Sequence, residues 1–323
     1  MDHITREIEE LRSKCIQCGS CSDVCPSLKH GGCNPMDVMS GDESKVRFCI
    51  ACGNCSKACG TTDPYSVMKD LLFLATGTHI SQAFRDTGFC MPMADVPSRE
   101  LEPEWSGDDV NIMPGCVVRC KAPFLEFAAA SALNSMGIKC MEIPDTTCCL
   151  HPVMFREMTE RQRVESKRKA SDSATGRIVT LCGGCNEELE AAGRPCDHII
   201  RFLYRERDRL PRFDRRIKVA LEPGCASEPY ADEMVAVVEA LGCEFIGNTS
   251  GCCGKGSPVE ELLMENRERE CKGADVIVVG CPTCFNKFDS QPGGMPVLYI
   301  SELVAMAAGD RRTLEFHRIP VDI

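Results

Sequence analysis

The chain reads as an α/β protein: an all-α N-terminal unit followed by two α/β units that repeat one another. Three observations predict this. Cysteine is abundant, 25 of 323 residues, and it is grouped rather than scattered. Roughly the first ninety residues hold two cysteine runs among helical patterns and show no strand pattern. From residue 109 onward, short apolar runs alternate with helical stretches, and one order of cysteines occurs twice. Strand–helix alternation of this kind predicts small, mainly parallel sheets.

Cysteine at this level reflects either a secreted disulfide scaffold or metal ligation inside the cell. The odd count, the chain length and the many C-x-x-C steps favour ligation. The start, Met1-Asp-His-Ile-Thr-Arg-Glu-Ile-Glu-Glu10, has no apolar stretch, so no signal peptide is expected. Leu71–Ala75 and Val304–Ala308, the most apolar runs, are far shorter than the roughly 18 residues of a membrane helix. A cytoplasmic protein without direct membrane insertion is expected. Lys and Arg total 37 against 48 acids, a formal charge of −11, which disfavours nucleic acid as a partner.

The N-terminal unit spans residues 1–92 and opens with a short charged helix, Arg6 to Arg12. Cys15-Ile-Gln-Cys18-Gly-Ser-Cys21-Ser-Asp-Val-Cys25-Pro26 then matches C-x2-C-x2-C-x3-C-P residue for residue. Cys49-Ile-Ala-Cys52-Gly-Asn-Cys55-Ser-Lys-Ala-Cys59 repeats it, with Gly60 in place of proline. In this pattern three thiolates grip one [4Fe-4S] cube and the fourth reaches the other. One cubane would take Cys15, Cys18, Cys21 and Cys59, and the second Cys49, Cys52, Cys55 and Cys25. C-x2-C knuckles also bind zinc, but two four-cysteine runs of this spacing suit iron–sulfur better. Gly19 and Gly53 would let backbone N–H groups approach sulfur. A helix through Val67, Leu71, Leu74 and Ala75 and a second short one near Ile80–Phe84 would cover the thiols. Residues 93–108 are rich in proline without periodicity and read as a linker.

The two repeats occupy residues 109–212 and 217–323. Val110-Asn-Ile-Met-Pro-Gly-Cys116 matches Val219-Ala-Leu-Glu-Pro-Gly-Cys225, a strand ending in a turn and a cysteine. Helical stretches follow, Phe124 to Met136 and Asp232 to Leu241, then strands after Gly137 and Gly242. Next come the adjacent pairs Cys148-Cys149 and Cys252-Cys253, each followed by a charged helix. A further strand runs into Cys182-Gly-Gly-Cys185 in one repeat and Cys281-Pro-Thr-Cys284 in the other. The closing segments pair Asp197-His-Ile-Ile with Leu298-Tyr-Ile-Ser. Shorter spacings in the second repeat suggest trimmed connecting helices. Cysteines at strand ends are where ligands gather in parallel α/β sheets.

This five-cysteine set, present twice, resembles the CCG domains of the catalytic B subunit of heterodisulfide reductase. The N-terminal unit resembles the ferredoxin-type C subunit, so the whole chain is similar to a fused, D-like polypeptide. The resemblance implies two non-cubane [4Fe-4S] clusters in addition to the two cubanes. Cys116, Cys148, Cys149, Cys182 and Cys185 would hold one; Cys225, Cys252, Cys253, Cys281 and Cys284 would hold the other. It implies reduction of the CoM-S-S-CoB heterodisulfide to CoM-SH and CoB-SH between them. With no flavin or nucleotide motif in the chain, a donor subunit is implied: a flavoprotein, a hydrogenase or formate dehydrogenase, or a membrane cytochrome b. The same arrangement also resembles non-catalytic electron-transfer subunits of anaerobic glycerol-3-phosphate dehydrogenase, sulfite-reduction and acyl-CoA reductase complexes.

One departure stands out. The first pair is followed by Leu150-His151, whereas the second keeps Gly254. Glycine at this place allows positive φ or close backbone approach, so its loss is expected to alter the first site. Cys33, Cys90, Cys120, Cys140, Cys196, Cys243 and Cys271 remain, and most read as small buried apolar residues, although Cys120, four after Cys116, could face the same cluster on a helix turn. His151 and Lys255 flank the pairs as surface residues or as groups that deliver protons or hold an anion. Gly254-Lys255-Gly-Ser257 lacks the spacing of a phosphate loop.

Overall fold

The computed structural model describes residues 2–150, 160–249, 253–254 and 257–323. Its N-terminal part is helical: α1 (Asp2–Ser13), α2 (Ser20–Asp23), α3 (Pro26–Lys29), α4 (Pro35–Met39), α5 (Asn54–Ala58) and α6 (Pro64–Thr87). Ile4, Ile8 and Leu11 recur on one face of α1 and pack on Val67, Met68 and Leu71 of α6. The two helices expected between Asp63 and Phe89 are one, the 24-residue α6. Asp63 caps its start by accepting from the Ser66 N–H, Pro64 stands at its first position, and Gly88 at φ 77° ends it. No proline interrupts it, so the polar Thr76-Gly-Thr-His stretch stays helical.

Two four-stranded parallel sheets follow. The first is built by β1 (Val110–Met113), α7 (Gly115–Lys121), α8 (Phe124–Ser135), β2 (Cys140–Glu142), α9 (Glu160–Lys169), β3 (Arg177–Thr180), α10 (Gly183–Ala191), β4 (Asp197–His198) and α11 (Ile199–Arg205). The second is built by β5 (Lys218–Glu222), α12 (Ala231–Ala240), β6 (Glu244–Asn248), α13 (Glu260–Glu270), β7 (Val276–Val279), α14 (Pro282–Phe288), β8 (Val297–Tyr299) and α15 (Ile300–Ala307). The strand orders, β2-β1-β3-β4 and β6-β5-β7-β8, are the same arrangement. Where the first sheet has α7, the second has only a turn of 3₁₀ helix at Glu228–Tyr230, the shortening its sequence spacing suggests.

The central strands β1, β5 and β7 are buried along nearly their whole length, as parallel strands covered on both faces must be. The two sheets share one hydrophobic core. Helix α8 packs on α15 and α11 on α12, so each half places its last helix against the other half's helix. No helix among the described residues is long and apolar enough to cross a membrane.

The proline-rich connector is tied down rather than loose. The Ala94 N–H donates to the Cys120 carbonyl at 2.9 Å, and Arg99 donates to the Ala94 and Cys120 carbonyls at 2.9 and 3.3 Å. The helical part meets both halves. Phe48 O accepts from Ser257 Oγ at 3.1 Å, beside apolar contacts of Ile50 and Cys52 with Val259 and Leu263. Gly88 O accepts from the Cys148 N–H at 2.8 Å.

Candidate metal centres

The two N-terminal cysteine runs fold alike. Each places a residue at positive φ before its second cysteine, Gln17 and Ala51 both at 54°, and a left-handed glycine after it, Gly19 at 82° and Gly53 at 74°. The glycines start α2 and α5, which present Cys21 and Cys55 inward. Left-handed residues on either side of the second cysteine turn neighbouring N–H groups toward the sulfur; the Ala51 N–H is 3.4 Å from Cys49 Sγ.

Cys25, Cys49, Cys52 and Cys55 line one small cavity of about 20 Å³, with Cys33, Tyr65 and Met68 among the other residues of its wall. The fourth cysteine of the first run thus lies with the first three of the second run. The converse also holds, because Cys59 lies close enough to Cys18 and Cys21 for their charges to interact. Cys18 is exposed and Ile16 beside it is 67% exposed, so this group opens to solvent. Burial pushes the Cys49 and Cys55 thiols up to about 12.

In the sheets, the Pro-Gly-Cys turns set the geometry. Gly115 and Gly224 stand at φ 78° and 85°. A Cβ added to Gly224 would lie 2.6 Å from Cys281 Cβ, and one added to Gly115 would lie 3.0 Å from Cys185 Sγ. Glycine lets the turn bearing Cys116 or Cys225 lie directly on the C-x-x-C segment. In the first half, Cys149 Sγ is 3.2 Å from Cys185 Sγ. Cys185 is also bonded to Cys182, and Cys148 to Cys116 and Cys149. In the second half, Cys284 is bonded to Cys253 and Cys281. These hydrogen bonds between neighbouring thiols, followed by burial, hold Cys148, Cys185 and Cys284 well above the ordinary thiol range. Converging buried thiols resist ionisation unless a cation compensates them, which is the donor chemistry of a metal–sulfur site.

Leu150 keeps φ at 60°, close to the 76° of Gly254. The positive φ that glycine allows is thus kept without glycine. The two positions differ in surroundings. Leu150 is buried with Phe89, Cys116, Cys120 and Cys148, beside Phe84 and Met91. At Gly254 a Cβ would lie 2.8 Å from Leu263 Cδ1 and 3.1 Å from Glu260 Cα, so the start of α13 demands glycine there.

The two sets lie next to each other. Tyr299 and His198, matching residues at the ends of β8 and β4, are fully buried and reach across the halves. Tyr299 Oη donates to Leu181 O at 2.6 Å, and His198 bonds to the Gly280 backbone. Leu181 and Gly280 immediately precede Cys182 and Cys281, so each half steadies the other's C-x-x-C segment. The charges of Cys182, Cys281 and Cys185 all act on Tyr299, after burial the main influences raising its pKa. A Cβ on Gly183 would strike Ser227 Oγ at 2.5 Å, two residues beyond Cys225. Cys225 is exposed, and its charge reaches Cys52 and Tyr65 of the helical part.

One asymmetry lies behind the second set. Glu222, at the place of Met113 in the first half, forms a buried ion pair with Arg267 and accepts from Thr249. Cys284 Sγ is 3.9 Å from its carboxylate.

Cys252, His151 and Lys255 lie outside the described residues. Among the other cysteines, Cys33 walls the cavity, while Cys140, Cys243 and Cys271 are buried in the apolar core. Cys120 points to Met91 O at 3.6 Å and Met93 Sδ at 3.5 Å rather than into the thiol set. Cys90 does not behave as a simple buried apolar residue. Its sulfur and those of Cys116 and Cys148 lie within 4.8 Å of one another. No motif marks it; only the path of the connector brings it there.

Residues 7–60 match the 4Fe-4S dicluster domain family, and residues 110–190 and 219–289 each match the cysteine-rich domain family CCG. The chain is 27% identical to the B subunit of the ferredoxin/F(420)H(2)-dependent CoB-CoM heterodisulfide reductase of Methanosarcina acetivorans, covering 62% of this chain and 89% of that protein. The B subunit of the ferredoxin:CoB-CoM heterodisulfide reductase of Methanosarcina mazei is 26% identical, with the same coverage. Among solved structures, the aspartate racemase of Picrophilus torridus overlays 64% of this chain and 96% of its own at 12% identity and a TM-score of 0.33. The chain is an iron–sulfur protein of the CCG type, in which a 4Fe-4S dicluster domain is joined to paired cysteine-rich domains.

Proposed function

We propose that this chain is a fused, D-like subunit that reduces a disulfide, the CoM-S-S-CoB heterodisulfide, to CoM-SH and CoB-SH. Similarity to two B subunits of heterodisulfide reductase supports the reaction class. The observation that carries the reading is the adjacency of two matching thiol sets across the Tyr299 and His198 bonds. A substrate with two sulfurs needs two neighbouring sites, and two equivalent half-sites meet that need.

Cys15, Cys18, Cys21 and Cys59 would hold one cubane, and Cys25, Cys49, Cys52 and Cys55 the other. The four-thiol cavity and the Cys59–Cys18–Cys21 grouping support this exchange of fourth ligands. Cys116, Cys148, Cys149, Cys182 and Cys185 would hold one non-cubane group, and Cys225, Cys252, Cys253, Cys281 and Cys284 the other. When bound, such groups store and pass single electrons. The placement of the thiols supports one route for the electrons. Electrons from a donor subunit would enter on the exposed Cys18 side and leave the buried cavity through Cys52 toward Cys225. Splitting the S–S bond takes up two electrons and two protons and yields two thiols. Cys182 and Cys281 stand at the N-caps of α10 and α14, where the helix dipole favours an anionic sulfur. The donor would be a flavoprotein, a hydrogenase or formate dehydrogenase, or a membrane cytochrome b.

The test is turnover of the anaerobically purified, cluster-loaded chain with a reduced viologen dye and the heterodisulfide. The expected result is release of CoM-SH and CoB-SH in equal amounts. A loaded chain that oxidises no dye in the presence of the heterodisulfide would sink the enzyme reading and leave an electron-transfer subunit of another complex.

A further inference from the structure

We infer that Cys90, on the connector leaving α6, is a sixth thiolate ligand of the first cysteine-rich centre. The inference rests on the ligation proposed for Cys116, Cys148, Cys149, Cys182 and Cys185. Three sulfurs within 4.8 Å of one another match the spacing of thiolates on one metal or on neighbouring metals, since two thiolates each about 2.3 Å from a tetrahedral ion sit roughly 3.8 Å apart. Cys90 is hydrogen-bonded to both Cys116 and Cys148. Cys120 provides an internal contrast, being buried in the same apolar cluster but with its sulfur turned toward Met91 and Met93.

The connector is held firmly enough to present a ligand. Gly88 ends α6 in the left-handed conformation and its carbonyl accepts from the Cys148 N–H at 2.8 Å. Phe89 is buried against Cys116, Cys148 and Leu150, and Ala94 is bonded to Cys120 on the far side. Cys90 therefore sits between two anchored points. Around Cys225 the dicluster domain contributes Cys52 and Tyr65 instead, and Cys52 already lines its own cavity. The two centres thus become unequal. The first has six protein thiols and is closed by the connector; the second has five and an exposed Cys225. Ligation by Cys90 releases its proton to solvent and adds one negative charge to the first centre.

The test compares EPR and Mössbauer spectra and iron content of the loaded full chain with those of Cys90→Ser, Cys149→Ser and Cys243→Ser. Cys90→Ser is expected to shift or remove the signal that Cys149→Ser removes, with the dicluster signals intact and Cys243→Ser unchanged. A Cys90→Ser spectrum identical to wild type, beside an altered Cys149→Ser, overturns this inference alone. An unaltered Cys149→Ser overturns the ligation beneath it. If Cys90→Ser does not accumulate, peptide mass measurement on wild type decides. Cys90 should resist iodoacetamide together with Cys116 while metal is bound, and react after chelation. Equal labelling of Cys90 with and without metal, while Cys116 is protected, overturns the inference.

Discussion

Arg267→Met removes the cation from the Glu222 carboxylate behind the second thiol set. Both side chains are almost wholly buried, at 4% and 1% exposure, so water cannot replace the guanidinium. Breaking a buried pair from one side costs about 3–5 kcal/mol, because the remaining charge is left uncompensated. At roughly 2–4 °C per kcal/mol for a domain of this size, the thermal midpoint should fall by about 6–20 °C. The first half supplies the design of the rescue, since Met113 fills the place of Glu222 there, fully buried. Glu222→Met combined with Arg267→Met removes both charges and leaves the Thr249 hydroxyl, and more weakly the Cys284 thiol, without its acceptor, about 1–3 kcal/mol. The double variant should therefore recover a substantial part of the loss. The pH dependence follows in sign. Burial raises the Glu222 pKa and Arg267 opposes the rise; without Arg267 the raised value stands higher, so the protonated carboxyl stabilises at low pH. Stability of Arg267→Met should then fall as pH rises through the raised value, with a smaller deficit at about pH 5 than at about pH 8. The assay is anaerobic thermal unfolding followed by circular dichroism. An Arg267→Met midpoint equal to wild type, or a double variant no better than the single one, refutes the reasoning.

Other outcomes follow from the same structure. Burial, then the neighbouring Glu142 charge, pushes the Glu126 carboxyl up to about 8 against the opposing Arg119. Its stabilising protonated form is complete below the unfolded value and lost as pH rises through about 8, so Glu126→Gln should flatten the fall of midpoint with pH in that window. Gly224→Ala adds a left-handed alanine and a 2.6 Å approach to Cys281 Cβ, whereas Gly115→Ala meets a sulfur at 3.0 Å. Gly224→Ala should therefore lower iron content more, by about four per chain if the whole second group is lost, as measured by iron analysis. Tyr299→Phe leaves Leu181 O without its donor across the halves, and should cost about 1–3 kcal/mol in urea unfolding. Cys253→Ala should abolish heterodisulfide turnover and alter one cysteine-rich-centre signal while both cubane signals persist in EPR.

Much of the arrangement was legible in the sequence because its periodicities are local. Apolar runs ending in Pro-Gly-Cys or C-x-x-C pointed to parallel strands and the repeated order of cysteines to two like α/β units; their common strand order comes from the structure. That Cys25 lies with the second run and Cys59 near the first agrees with helix geometry, which carries a fourth thiol away from the first three. Tertiary effects were less visible. Leu150 holds a positive φ because Phe84, Phe89 and Met91 give its side chain an apolar seat, and nothing in its local sequence encodes that. Cys90 carries no motif, and its approach to Cys116 and Cys148 follows from where Gly88 ends α6. Pairs such as Glu222 with Arg267, or Tyr299 with Leu181, join residues far apart in the chain and belong to no spacing rule.

We propose that this chain carries four iron–sulfur groups, two of them on the repeated five-cysteine sets. Iron and acid-labile sulfide analysis of the anaerobically purified chain, read with its EPR spectrum, tests it most directly. About sixteen iron and sixteen sulfide per chain are expected, four of each for every group. About eight of each, with only cubane signals and metal-free thiols at Cys148, Cys149 and Cys253, would contradict it.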